Sequence, residues 1–98
     1  MLVIHVSRPE LDRLFAKEDA MTKIQAAEWS SIVRGEVPAK TYLGCTSQII
    51  KHFDSDGRHR ATTHRILDKG TGTVYHEHGK DITIGDQKFA FREGRSDP

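Results

Sequence analysis

Five of the six histidines in this chain, His52, His59, His64, His76 and His78, fall between Ile49 and Phe91. An imidazole changes charge near neutral pH and, when neutral, ligates metals, so their spacing decides which chemistry is open to them. Two constellations follow from aligning the segment on its turns. In the first, His64 lies across from Glu77. A carboxylate there fixes the imidazole tautomer and raises its pKa, which suits general acid–base work. Arg60 alongside is suited to an oxyanion or a phosphate, gripped by two parallel bonds. Tyr75 can stack a base or place a hydroxyl, and His52 shares their face. His64, Arg60, Glu77, Tyr75 and His52 are therefore the candidate catalytic set; the plainer reading is cross-strand pairs decorating an exposed sheet. In the second constellation, His76 and His78 stand two apart on a strand and project to one side, half of a metal site. His5, His59 or Asp81 would be needed to complete it, and the spacing selects none of them.

Other signals point to structure. Asp54-Ser55-Asp56-Gly57 opens like a calcium loop but lacks the later acidic positions and the closing glutamate, so it reads as a hairpin turn. Gly70-Thr71-Gly72 has no helix behind it to offer free amides to a phosphate. Cys45 is the only cysteine, which excludes an internal disulfide and a cysteine-based zinc knuckle and reads as a buried or half-buried thiol in a reducing compartment. No cofactor signature is present, and no Ser-His-Asp or Cys-His arrangement can be argued from spacing. Fifteen Lys and Arg against 14 Asp and Glu give a net charge of +1, without the strongly basic balance of most nucleic-acid-binding domains. The charge is uneven, however: residues 58–65 carry Arg58, Arg60 and Arg65 with no acid among them.

The length of 98 residues predicts one domain. Leu2 to Val6 reads as a short strand. Ser7, Pro9 and Glu10 then spell a capping box with proline in the first turn, predicting a helix over 8–17 with Leu11, Leu14 and Phe15 facing the core. The spacing of Met21, Ile24, Ala27 or Glu28, and Ile32, stopped by Gly35 and Pro38, predicts a second helix over 19–34. Residues 35–47 read as a connector, with Thr41 to Leu43 as a candidate edge strand, and the polar residues 93–98 as a frayed tail. Between them, residues 48–92 give strand-like runs parted by glycine and aspartate clusters, the mark of an antiparallel meander. The fold class expected is α+β: an N-terminal strand and two helices packed on one face of that meander. The segment before His5 is too short for a signal peptide or a membrane span, which predicts a cytoplasmic protein.

The turns predict a register. Asp56-Gly57 sets Phe53 against His59, His52 against Arg60 and Ile50 against Thr62. A turn tipped at Gly70-Thr71 sets Leu67 against Val74, Ile66 against Tyr75, Arg65 against His76 and His64 against Glu77. A loop centred on Asp86-Gln87 sets Ile84 against Phe89 and Ile82 against Phe91. One face then collects Ile49, Phe53, Ala61, Thr63, Leu67, Val74, His76 and His78 beneath the helices, and the open face holds the candidate catalytic set.

In order of elements and length, most of the chain resembles the small toxins of the RelE/HigB/ParE superfamily. The resemblance implies helices on one face of a sheet whose other face presents basic, His or Tyr residues to RNA on the ribosome. Arg60, His64 and Tyr75 are of the corresponding types. It also implies metal-independent RNA cleavage and a protein partner such as a cognate inhibitor, although ParE-like members are not ribonucleases. The chain differs from the family in its near-neutral charge and in lacking a lysine-rich helix. The alternative is a non-enzymatic protein-interaction module, a phage or plasmid accessory or regulatory protein, motivated by the lack of a specific catalytic motif.

Overall fold

The computed structural model describes residues 2–92. The expected tail at 93–98 lies outside them. The chain opens with strand β1 (Leu2–Val6), which leads into helix α1 (Arg8–Lys17). The capping box forms as its sequence requires: the Glu10 amide donates to Ser7 Oγ, and the Ser7 amide donates back to the Glu10 carboxylate. That return bond holds the Glu10 carboxyl below its ordinary pKa. Leu11 and Phe15 are the buried side of this helix.

The second helix departs from expectation. Helix α2 spans only Ala20–Gln25. Ala27 takes a left-handed conformation (φ 59°), and the amides of Ala27 and Glu28 bond back to the carbonyls of Ile24 and Lys23 at 3.1 and 2.9 Å. This is a Schellman stop, built on alanine where glycine usually supplies the positive φ. The stretch read as the rest of that helix is instead strand β2 (Ser30–Pro38), rich in β-branched residues, and the expected connector begins inside it. Thr41 to Leu43 form no strand.

Four more strands follow: β3 (Thr46–Phe53), β4 (His59–Asp68), β5 (Thr73–Ile84) and β6 (Gln87–Phe91). They make one six-stranded sheet in the order β1-β6-β5-β4-β3-β2. The fold is thus α+β, and the meander is not pure, because β1 returns to pair parallel with β6 while every other pair is antiparallel.

Helix α1 lies against β5 and β6, where Gly79 makes room for it. A Cβ on Gly79 would fall inside the Phe15 ring. The first residue of α1 is tied to the same point, since Arg8 Nη1 donates to the Gly79 carbonyl at 2.7 Å and its guanidinium lies 4.4 Å from the Phe91 ring centroid. The core joins Leu11, Phe15, Ala20 and Trp29 to Ala61 and Ile82 of the sheet. Met21 and Ile24 pack against it as the spacing suggested, whereas Ile32 and Val33 lie exposed on the edge strand.

Two predicted pairings hold, Phe53 with His59 and Leu67 with Val74. Beyond each of them a β-bulge shifts the register by one residue. His52 meets Ala61, not Arg60; Ile50 meets Thr63; Ile66 meets His76; Arg65 meets Glu77; and His64 meets His78. A third shift between Thr62 and Thr63 leaves Lys80 as the extra residue of β5. The last turn is tighter than expected, with Gly85 (φ 64°) and Asp86 between Ile84 and its partner Gln87, so Ile82 faces Phe89. Glycine at the first of two central positions favours that hairpin, and it outweighs the apolar matching.

Candidate functional site

Side chains alternate along a strand, so each one-residue shift turns a strand over relative to its neighbour. The two expected faces are therefore reshuffled, and the candidate catalytic set does not converge. His52 points to the helix side and is 1% exposed. Its Nδ1 is 2.7 Å from Ser31 Oγ and its Nε2 2.8 Å from Thr63 Oγ1, so both ring nitrogens are matched by hydroxyls. Burial, helped by the charges of His59 and Arg65, pushes its pKa down to about 4 and keeps the ring neutral. Arg60 is the extra residue at its bulge. Its guanidinium lies 5.0 Å from the Trp29 ring centroid and 3.5 Å from both Glu18 and Asp54, a structural pin between strand and helices. Glu77 stands across from Arg65, again on the helix side. Tyr75 is the extra residue at the other bulge, exposed and stacked on Tyr42 at 5.5 Å. Of the five, His64 alone lies on the face turned away from the helices.

That face holds a different constellation. His64 meets His78 across the β4–β5 pair, and His76 follows two residues along the same strand face. The ring centroids are 5.1 Å apart for His64–His78, 4.6 Å for His76–His78 and 6.5 Å for His64–His76. His78 Nδ1 and His76 Nε2 approach to 2.6 Å, and His64 Nε2 is 2.6 Å from Ser47 Oγ on β3. Burial, then Arg8 and the neighbouring imidazoles, push the His78 pKa down to about 4. Beside them a cleft of about 320 Å³ is lined by Gly35, Glu36, Val37, Ser47, Ile49, His64 and Lys80, the Glu36 carboxylate accepting from Lys69 and Gln48.

Further along the same face, His59 Nε2 is 2.9 Å from Thr62 Oγ1 and 3.9 Å from Asp81, and Lys88 Nζ is 3.7 Å from the other Asp81 oxygen. Burial lowers the His59 pKa, an effect Asp81 opposes and Lys88 and Lys51 reinforce. The Phe53 and His59 rings lie 5.6 Å apart. A larger cleft, about 430 Å³, opens on the helix side beside Phe15 and Gly79 and is bordered by His78 at its edge; its charged walls are the carboxylates Asp12, Asp19 and Glu77, which disfavour an anionic ligand.

The remaining motifs resolve as turns. Asp54 accepts the amides of Asp56 and Arg58, which holds its carboxyl below the ordinary range, and Gly57 carries the positive φ. Asp68 accepts the Gly70 amide. Cys45 is a buried free thiol. Sequence reasoning passed over Ser47, Lys51, Lys80 and Lys88, because which lysine shares a face with which histidine depends on the bulges. The available signal was His76-x-His78, whose period of two survives any shift of register. Among the described residues no helix is long and apolar enough to cross a membrane. No protein-family model, no curated protein and no solved structure matches the chain.

Proposed function

We propose that this domain engages a single-stranded, RNA-like polyanion on the sheet face turned away from the helices. One observation carries the reading. That face carries Lys51, Lys88 and His59 near the carboxylate of Asp81 and, further along, Lys80 with the imidazoles of His64, His76 and His78, with Glu36 at the cleft beside them; Asp12, Asp19 and Glu77 line the cleft against the helices, which His78 also borders. Lysines tracking a backbone supply affinity for phosphates, and the Phe53–His59 pair offers rings on which bases stack. The test is binding of a labelled single-stranded RNA across a salt series. Lys51→Ala and Lys80→Ala should each reduce the slope of log K against log salt, by about 0.7 for each phosphate no longer neutralised. A wild-type affinity indifferent to salt removes the proposal.

RNA cleavage is the finer form of the same reading. It rests on His64, whose Nε2 is held by Ser47. Cleavage that survives EDTA and disappears in His64→Ala extends binding to a metal-independent ribonuclease. Undiminished cleavage by that variant takes His64 out of the chemistry.

A second reading, a protein-interaction module, is favoured by β2. This strand ends the sheet, and its Ile32, Val33 and Val37 are 44%, 46% and 60% exposed. An apolar edge strand is a template for strand addition by a partner. Val33→Lys should abolish binding to such a partner, for instance a cognate inhibitor; unchanged binding would rule out the edge.

A further inference from the structure

We propose that β2 docks a second copy of this chain, the two β2 strands running antiparallel about a two-fold axis at Gly35 and joining the two sheets into one. The inference rests on the reading of β2 as a docking edge and names its partner. β2 is nine residues long, ends the sheet beyond β3 and is exposed along nearly its whole length. Its amides and carbonyls that point away from β3 meet no other strand among the described residues. Such a row is a template for another strand.

The order of residues around Gly35 selects a second copy as that strand. A two-fold axis sets each position on one side of it against the mirror position on the other. Arg34 is the extra residue of a bulge, because Val33 pairs with Ile50 and Gly35 with Ile49. Counted by pairing positions, Ile32 then lies across from Val37 of the second copy, and Val37 across from its Ile32. Both face away from the helices, since their neighbours on β3 are Lys51 and Ser47, and both are exposed in the single chain. The seam covers each with the other, twice. Arg34 comes beside Glu36 of the second copy, also twice. Glu36 accepts from Gln48 and Lys69 of its own chain, yet its side chain stays 36% exposed. A carboxylate has about four acceptor positions, so a guanidinium adds to those bonds and displaces neither. Bulges and charges commonly blunt an edge strand. Here the two charges stand on opposite sides of the axis, and each meets its opposite. The other edge, β1, has five residues and no such pair.

A seam one strand wide is small for a specific interface, under about 1,200 Å², so association should be weak and rise with concentration. Sedimentation of the full chain over a concentration series should show monomer giving way to dimer and to nothing larger. Ile32→Lys and Val37→Lys should each weaken the dimer at least about tenfold, with the circular dichroism spectrum unchanged. Arg34→Glu and Glu36→Arg should each abolish it, because like charges then meet twice across the seam. An equimolar mixture of those two variants should restore it as a heterodimer, in which each charge again meets its opposite. A wild-type chain that is monomeric at every concentration overturns the proposal. So does a dimer indifferent to Val37→Lys, or open-ended growth, which is the mark of β1 adding to β2. If the chain stays monomeric while Val33→Lys abolishes binding of another protein, self-pairing fails and the docking edge stands. If that binding is unchanged as well, both fail.

Discussion

His52 and His64 sit on neighbouring strands of one sheet and lead opposite lives. On the helix side His52 is sealed from water, and two hydroxyls satisfy its ring, so it acts as a polar core residue. On the other side His64 faces two more imidazoles and a cleft. Arg60 is committed to Trp29, Glu18 and Asp54 on the helix side, and Lys80 lines the cleft on the other. The difference shows that residue type proposes a chemistry and the side of the sheet disposes of it. One side of this sheet is about stability, and the other is where binding is to be sought.

The sharpest way to break that division is at Gly79. Gly79→Val drives a side chain into Phe15 and should destabilise the fold by about 3 kcal/mol or more, read as a lower midpoint in urea. Acid comes next. His52 is neutral in the folded state down to about pH 4 but titrates near pH 6.5 once unfolded, so the unfolded chain binds more protons between those values. Stability should therefore be intact above pH ~6.5 and fall as the pH drops toward 4, with His52 contributing on the order of 3 kcal/mol. His78 acts in the same direction, and an NMR titration placing the His52 midpoint near 6.5 would contradict its burial. Arg60→Ala should cost about 1–2 kcal/mol of stability and leave RNA affinity nearly unchanged, the reverse of what an anion-binding arginine would show. Least of all, Lys51→Ala and Lys80→Ala should shift stability by no more than about 0.5 kcal/mol while weakening RNA, and an unfolding lysine variant would erase the distinction between the two sides.

Much of this was legible in the chain itself. Ser7, Pro9 and Glu10 specify the start of α1 because capping uses atoms within one turn. The turns at Gly57 and at Gly70–Gly72 set the first pairing of each hairpin for the same reason, and Cys45 proved buried as its solitude suggested. The end of α2 was not legible, because an alanine with positive φ carries no mark that a glycine would carry. The pairing of Ile84 was open to local reading, and apolar matching was the wrong guide there.

Interactions within a few residues settle the N-terminal strand, the first helix, the positions of the turns, and the period of two that puts His76 and His78 on one side. Which side faces the helices is set by contacts between distant segments. Bulges at Arg60, Tyr75 and Lys80 each insert one residue, and one residue suffices to turn a strand over. The arbiter is packing between distant segments: Phe15 needs the bare backbone of Gly79, and Trp29 needs Ala61 and Ile82 beneath it. Those demands couple residues far apart along the chain, and through them His52 is turned into the core and His64 out toward His76 and His78.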